Sequence, residues 1–299
     1  MKPAVAKVTA GFFHGVPEVS SGMRLRCGSR VLELTRPCVM GVVNVTPDSF
    51  FDGGRFLDAA SAVANAVRMV EEGAAIIDVG GESTRPGAVP VAVEEEMRRV
   101  LPVIEQLRTR INVPISIDTR RARVMRAALG AGADMVNDVN ALQEPEALHI
   151  VANTDAAVCL MHMKGDPRSM QQAPEYADVV TEVRGFLADR LAACRAVGIG
   201  DERIALDPGI GFGKTRAHNL TLISRLQEFV LLGRPILIGV SRKSTVGAIT
   251  DRPVEGRLAG SVALATLAAW HGADIIRAHD VAATVDAMKI VSALQGEAN

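Results

Sequence analysis

The sequence predicts a single-domain (β/α)8 TIM barrel with a short N-terminal extension, and three observations carry the prediction. From residue 38 onward one unit recurs eight times: an apolar run rich in Val and Ile, a polar or Gly-rich loop, and an Ala/Leu/Arg stretch of helical period. The runs are continuously apolar rather than alternating, which is the pattern of strands buried on both faces of a parallel sheet. Nearly every run ends in a polar side chain. An open doubly wound sheet would concentrate such residues at one switch point, whereas a closed barrel brings all its strand ends to one mouth. The repeat divides the chain into an extension, 1–37, with a hairpin expected around Arg24–Leu34 under the barrel floor, and a barrel over 38–296.

Taken in order, the first run, CVMGVVN (38–44), ends in Asn44. The helix LDAASAVANAVRMVEEG follows, closing at Gly73. AAIIDVG (74–80) carries Asp78 deeper in the run, where it faces inward or serves structure. VPISID (113–118) ends in Asp118, and the helix TRRARVMRAALG after it closes at Gly130. ADMVND (133–138) supplies Asn137, AAVCLMHM (156–163) supplies His162, and RIALD (203–207) ends in Asp207. PILIGVS (235–241) ends in Ser241, and the helix VEGRLAGSVALATLAAWHG closes at Gly272 before ADIIRAH (273–279). Each closing glycine suits a helix C-cap. Residues 45–57 and 80–92 exceed the roughly 2–6 residues usual between strand and helix, so both read as lids over the mouth.

Composition narrows the function classes. The chain has 299 residues, is 48% hydrophobic and 22% charged, and carries a formal charge of -1, with no basic arm or acidic tail. Nucleic-acid and membrane-surface binding therefore find no support. Cys27, Cys38, Cys159 and Cys194 are scattered without a C-x-x-C pair; Cys38 and Cys159 sit inside apolar runs and read as free core thiols, so a reducing cytoplasm is the expected home. No apolar run has the length of a membrane span, and the N-terminus lacks an apolar signal core.

LDPGIGFGKT (206–215) has the look of a phosphate loop, but Pro208 stands where a P-loop needs glycine and Lys214 where the dinucleotide pattern needs its third. Asp118 and Asp207 each follow an apolar run. Singly, each could cap the next helix; together with Asn137 in one mouth they suit a flat heterocycle offering amino and ring N–H donors. Lys243 fits a solvated loop lysine, or an ammonium held near a carbonyl or a leaving phosphate. Arg277 and His279 point the same way from the last strand and, facing Asn44 across the barrel, suggest an anion site. The Asn44 amide oxygen could share Mg²⁺ with phosphate oxygens. His162 fits a structural role as well as a site role. No nucleophile with a matched base, no H-E-x-x-H and no thiolate metal site is present, so the chemistry reads as positioning and electrostatics.

The segments NVTPDSFFDGG (44–54), GGESTRPGA (80–88), SIDT (116–119), NDV (137–139), MHMKGDP (161–167), LDPGIGFGKT (206–215), SRKS (241–244) and RAHDV (277–281) run in order over most of the chain. In combination they resemble the dihydropteroate synthase family. The resemblance implies a pterin-binding barrel that condenses 6-hydroxymethyl-7,8-dihydropterin diphosphate with 4-aminobenzoate, giving 7,8-dihydropteroate and pyrophosphate. It further implies that Asp118, Asn137, Met161, Asp207, Gly239 and Lys243 hold the pterin. Asn44, Thr84, Arg277 and His279 would hold the diphosphate, with Mg²⁺ on Asn44. Gly211, Phe212 and Ser244 would line the aminobenzoate site, where sulfonamides compete. Asp118, Lys243, Thr84 and Arg85 would carry the catalysis, the two lid residues closing over the site. A homodimer is also implied, with the helix Leu258–Trp270 as its interface. Gly-Asp-Pro at 165–167 departs from the family's usual Gly-Thr-Pro, and residues 1–37 are not constrained. The rival readings are a corrinoid methyltransferase on the same barrel and a non-catalytic pterin-binding paralogue. The TRP lid with the SRKS and RAHDV ends argues against the first, and the intact anion and lid residues argue against the second.

Overall fold

The computed structural model describes residues 23–45, 55–83, 90–166 and 170–297. Thr84, Arg85 and most of the two long loops lie outside the described residues, as do residues 1–22. Eight parallel strands form the sheet: β3 (Cys38–Asn44), β4 (Ile76–Gly80), β5 (Ile115–Asp118), β6 (Met135–Asp138), β7 (Ala157–Met161), β8 (Ile204–Asp207), β9 (Leu237–Gly239) and β10 (Ile275–Ala278). Neighbouring strands are consecutive in sequence, and β10 pairs with β3. The remaining seam, between β8 and β9, is joined by a parallel bridge from Leu206 to Ile236. The sheet is thereby a closed barrel.

Strand parity explains why the runs are continuously apolar. Val39, Val43, Ile77, Val79, Ile115, Ile117, Val136 and Val158 point outward into the layer shared with the helices. The alternate positions point inward. Low in the barrel these are Met40, Ile76, Met135, Ala157, Cys159, Ala205, Leu237 and Ile275, which pack together. One step higher on the same faces stand Asp78, Asp118, Asn137, Asp207 and Arg277. Asp78 is therefore inward-facing, and it is fully buried.

Below the barrel, β1 (Arg24–Cys27) and β2 (Arg30–Glu33) make an antiparallel hairpin. Leu25, Cys27 and Leu34 join the inner apolar cluster and stopper its lower end. Two arginines fix the hairpin and the adjoining loops: Arg30 and Arg108 both pair with the buried Asp134, at 2.8 and 2.6 Å.

The outer helices include α1 (Arg55–Glu71), α2 (Val93–Arg108), α3 (Ala122–Gly130), α4 (Ala147–Ala152), α5 (Val179–Ala196), α6 (Arg216–Ser224), α7 (Gln227–Val230), α8 (Ser244–Thr250), α9 (Leu258–Trp270) and α10 (Val281–Glu297). Gly73 and Gly272 take left-handed φ after α1 and α9. Gly130 is not the cap predicted from sequence: it stays within α3, and the left-handed residue is Gly132. Among the described residues no helix is long and apolar enough to cross a membrane.

Candidate active site

The polar strand ends meet at the C-terminal mouth of the barrel. At its floor the Arg277 guanidinium reaches two carboxylates, with Nε 2.6 Å from Asp78 Oδ2 and Nη2 2.7 Å from Asp118 Oδ2. Asp78 Oδ2 also accepts from Asn137 Nδ2 at 3.0 Å. Asp118 Oδ1 is buried and has no partner among the described residues, and the same is true of Asp78 Oδ1, so one acceptor of Asp118 is uncommitted. Asp118 does not cap α3. That helix begins with its Ala122 N–H donating to Glu144 instead.

The LDPG loop answers the question its glycines raise. Gly209, Gly211 and Gly213 all have left-handed φ, at 71, 86 and 64°. Asp207 Oδ1 accepts from Gly209 N at 2.7 Å, and Asn219 Oδ1 accepts from Gly211 N at 2.8 Å. Its carbonyls are also taken: Gln171 donates to Gly211 O, Tyr176 to Gly213 O, Lys214 to Phe212 O and Lys243 to Ile210 O. With the Gly209 and Gly211 N–H groups committed inside the protein, these two glycine amides are not offered to a phosphate. The loop is a tied-down wall that presents Phe212.

Lys214 is only 2% exposed, and its amine lies 2.8 Å from His162 Nδ1, with the carbonyls of His162 and Phe212 at 3.3 and 3.0 Å. Burial, then the Lys214 charge, lowers His162 to about 3, and burial likewise holds Lys214 well below its ordinary value. The His162 ring packs edge-on against Phe186 at 4.9 Å. His162 is thus a structural brace of the loop.

Lys243 leans into the mouth, its ammonium 4.7 Å from the Phe212 ring centroid. The turn that aims it passes through Arg242, a non-glycine residue at φ 56°. A bidentate pair with Asp280 at 2.9 and 2.6 Å, and an N–H bond to Ser261, hold that conformation. His279 Nδ1 lies 3.0 Å from Ser241 Oγ. Asn44 is half-buried at the rim. Because β10 and β3 are neighbours, Arg277 and His279 stand beside Asn44 and not across the barrel from it. Met161 and Gly239 line the inner wall at the ends of β7 and β9, and Gly211 lies against the Lys243 stem. Ser244 is exposed at the start of α8. Lys214, Asn219, Tyr176 and Arg242 are the members sequence reasoning missed.

Among the described residues no group of three His, Cys, Asp or Glu side chains is set to hold a metal ion. Asn44 offers one neutral oxygen, a donor set that fits an ion arriving on a diphosphate better than a resident one. A concavity of about 820 Å³ lies elsewhere, between Gly28, α3 and α4 near the lower ends of β6 and β7. It gathers none of the inward polar strand ends, so chemistry and not volume locates the site.

Burial pushes Asp118 up to about 7, against the opposing pull of Arg277. Burial lowers Lys243 to about 8, against Asp207. The signs predict a window. Above about 7, Asp118 becomes the charged acceptor that a ring N–H needs; above about 8, Lys243 loses its proton and its attraction for oxygen. Affinity for a ligand that presents a ring N–H to Asp118 and an oxygen to Lys243 should climb through the first value and fall past the second. Calorimetric titrations across that range check this, and Asp118→Asn should remove the rising limb; a flat wild-type profile would exclude both roles.

Comparison with known proteins bears on this geometry. The pattern of the family described as pterin binding enzyme matches residues 40–279. A dihydropteroate synthase of Escherichia coli (strain K12) is 49% identical over 271 residues, covering 91% of this chain and 96% of its own. A solved dihydropteroate synthase from Xanthomonas albilineans, with 4-aminobenzoic acid, is 52% identical with a TM-score of 0.87, covering 92% of this chain and 99% of its own. One from Yersinia pestis, with a sulfonamide drug complex, is 48% identical with a TM-score of 0.87, covering 92% and 100%.

Proposed function

The chain belongs to the dihydropteroate synthase family of pterin-binding enzymes, and we propose from that premise how its own residues carry the reaction. The chain is a transferase that joins 6-hydroxymethyl-7,8-dihydropterin diphosphate to 4-aminobenzoate, releasing pyrophosphate. The single observation supporting this assignment of roles is the mouth itself. Acceptors on Asp118, Asn137 and Asp207 converge there with the cations of Arg277 and Lys243. The names of the relatives favour this reading over a corrinoid methyltransferase or a non-catalytic paralogue.

In this reading Asp118, Asn137 and Asp207 accept from the pterin N–H groups, and Lys243 reaches the ring carbonyl and N5. Met161 and Gly239 line the ring pocket. Asn44, Arg277 and His279 hold the diphosphate, with Thr84 and Arg85 acting from the second loop. Asn44 would hold Mg²⁺, which would neutralise diphosphate charge. Phe212, Gly211 and Ser244 flank the aminobenzoate, the ligand whose place a sulfonamide takes.

The C–O bond to the methylene breaks first, its electron pair leaving on pyrophosphate. The dihydropterin ring spreads the resulting positive charge, and the Asp118 carboxylate stabilises it in a water-poor pocket. The arylamine nitrogen then forms the C–N bond and gives up one of its protons to the departing pyrophosphate. No base that would strengthen that amine stands out among the site residues, which favours this order over direct displacement. Pyrophosphate release from purified protein, both substrates and Mg²⁺ tests the activity. Single-turnover kinetics with ring-substituted aminobenzoates test the order: cleavage rates should be nearly independent of amine basicity, and a steep rise would establish direct displacement. Sulfonamide inhibition should be relieved by excess aminobenzoate.

Two wider assignments complete the reading. α9 exposes Leu258 and Leu267, and α10 exposes Ile290 and Leu294, which supports α9 as part of a homodimer interface; a monomer in sedimentation equilibrium would refute it. Four free cysteines support a reducing cytoplasm, a location that fractionation of cells would test.

A further inference from the structure

Asp78 has no part in the roles assigned above, yet it touches two residues that do. It is fully buried on β4, register-paired with Val42 and Ser116, one inward step below Gly80. Gly80 is paired with Asp118. Asp78 Oδ2 accepts two hydrogen bonds, from Asn137 Nδ2 at 3.0 Å and Arg277 Nε at 2.6 Å. The chemistry of the pair matters because an asparagine amide can face either way. One edge accepts and the other donates, so its orientation decides which ligand atoms it recognises. Asp78 Oδ2 is the acceptor in both contacts, so Asn137 turns its NH₂ toward Asp78 and keeps Oδ1 as its accepting edge.

The same oxygen fixes Arg277. Its Nε is committed to Asp78 and its Nη2 to Asp118, so the plane of the guanidinium is set and Nη1 is left for another ligand. Asp78 therefore sits at the branch point between ring recognition and anion recognition.

We propose that Asp78 is a positioning and specificity-determining residue: by holding the Asn137 amide nitrogen and Arg277 Nε on one oxygen, it makes Asn137 an acceptor for ring N–H donors. The proposal rests on the pterin reading given above. In a ligand lacking the N–H that meets Asn137, two acceptors would oppose each other, and such a ligand is rejected.

The test is calorimetric binding of 6-hydroxymethylpterin, which carries no diphosphate, to full-length protein. Asp78→Leu removes both oxygens and keeps only the branch at Cγ, while Asp78→Asn keeps one acceptor where Oδ2 stands. Expected are a roughly tenfold weaker Kd for Asp78→Leu, and recovery to within about threefold of wild type for Asp78→Asn. In an Asn137→Ala background, Asp78→Leu should add no more than about threefold, the remainder acting through Arg277. Unchanged binding in Asp78→Leu, equal loss in both Asp78 variants, or an undiminished loss in the Asn137→Ala background would overturn the proposal. Should Asp78→Leu not fold, the wild type supplies the measurement. The Asn137 side-chain NH₂ signal, identified by its loss in Asn137→Ala, should resist solvent exchange in the ligand-free protein, and fast exchange would overturn the assignment. A wild type that binds no pterin at all would instead refute the function on which the proposal rests.

Discussion

Arg277→Ala should reduce turnover by two or more orders of magnitude and destabilise the barrel at the same time. The guanidinium is the shared partner of Asp78 and Asp118, at 2.6 and 2.7 Å. Burial works against its charge, yet the two carboxylates beside it hold its pKa above the ordinary arginine value. Removing one member of a buried ionic cluster leaves the others uncompensated and costs about 3–5 kcal/mol. Here part of that cost is offset, because Asp118 already takes up a proton near 7. Urea unfolding should register the destabilisation. Binding should separate the functional effect: the diphosphate ligand loses roughly a hundredfold or more, and the bare hydroxymethyl pterin about tenfold through the loosened ring floor. Equal losses for the two ligands would confine Arg277 to the floor and remove it from the anion site. Lysine should not rescue, since it cannot reach both carboxylates in one plane.

Gly209→Ala is the second large effect. A Cβ at Gly209 would stand 1.9 Å from the His162 carbonyl oxygen, on a backbone with φ of 71°. Neither party is a flexible side chain, so the strand-end segment and the loop would have to separate. Loss of the Lys214 and Asp207 contacts would follow, and the expected destabilisation is about 3–5 kcal/mol, with Phe212 displaced and aminobenzoate binding impaired. Gly211→Ala is the control. It also has a left-handed φ, but the nearest atom to its Cβ is the Lys243 Cδ at 3.4 Å, and about 1 kcal/mol is expected. Denaturant midpoints compare the two directly. If Gly209→Ala proves no worse than Gly211→Ala, close backbone packing is not what holds the loop.

The barrel was legible because each strand advertises itself twice, through a continuous apolar run and a polar residue near its end. Asp118, Asn137, Asp207 and Arg277 could be picked out that way, and all four face inward at the mouth. Asp78 could not be assigned for a physical reason: in a strand buried on both faces, hydropathy carries no parity, so one internal aspartate has no marked side. The neighbour relation of Arg277 and Asn44 was available in principle, since the last strand of a closed barrel pairs with the first. Lys214, Asn219, Tyr176 and Arg242 were not available. Lys214 and Tyr176 reach the carbonyls of His162 and Gly213, which only the fold brings near, Asn219 accepts a loop N–H eight residues away, and Arg242 acts through a turn geometry that its side-chain type disfavours. The shift of the α3 cap from Gly130 to Gly132 reflects how weakly local sequence marks a helix end when a second glycine follows at once.

The hairpin of β1 and β2 has an evolutionary consequence. Leu25, Cys27 and Leu34 close the lower end of the barrel with apolar side chains alone, and none of them belongs to the mouth. Substitutions there are filtered by whether the fold survives, and substitutions around Asp118, Phe212 and Lys243 by what the protein can bind and convert. The two sets are separated along the barrel axis, so their effects should combine with little epistasis. A lineage under pressure to alter the mouth, for instance to refuse a competing arylsulfonamide, can recover lost robustness at the opposite pole without disturbing what it has just gained.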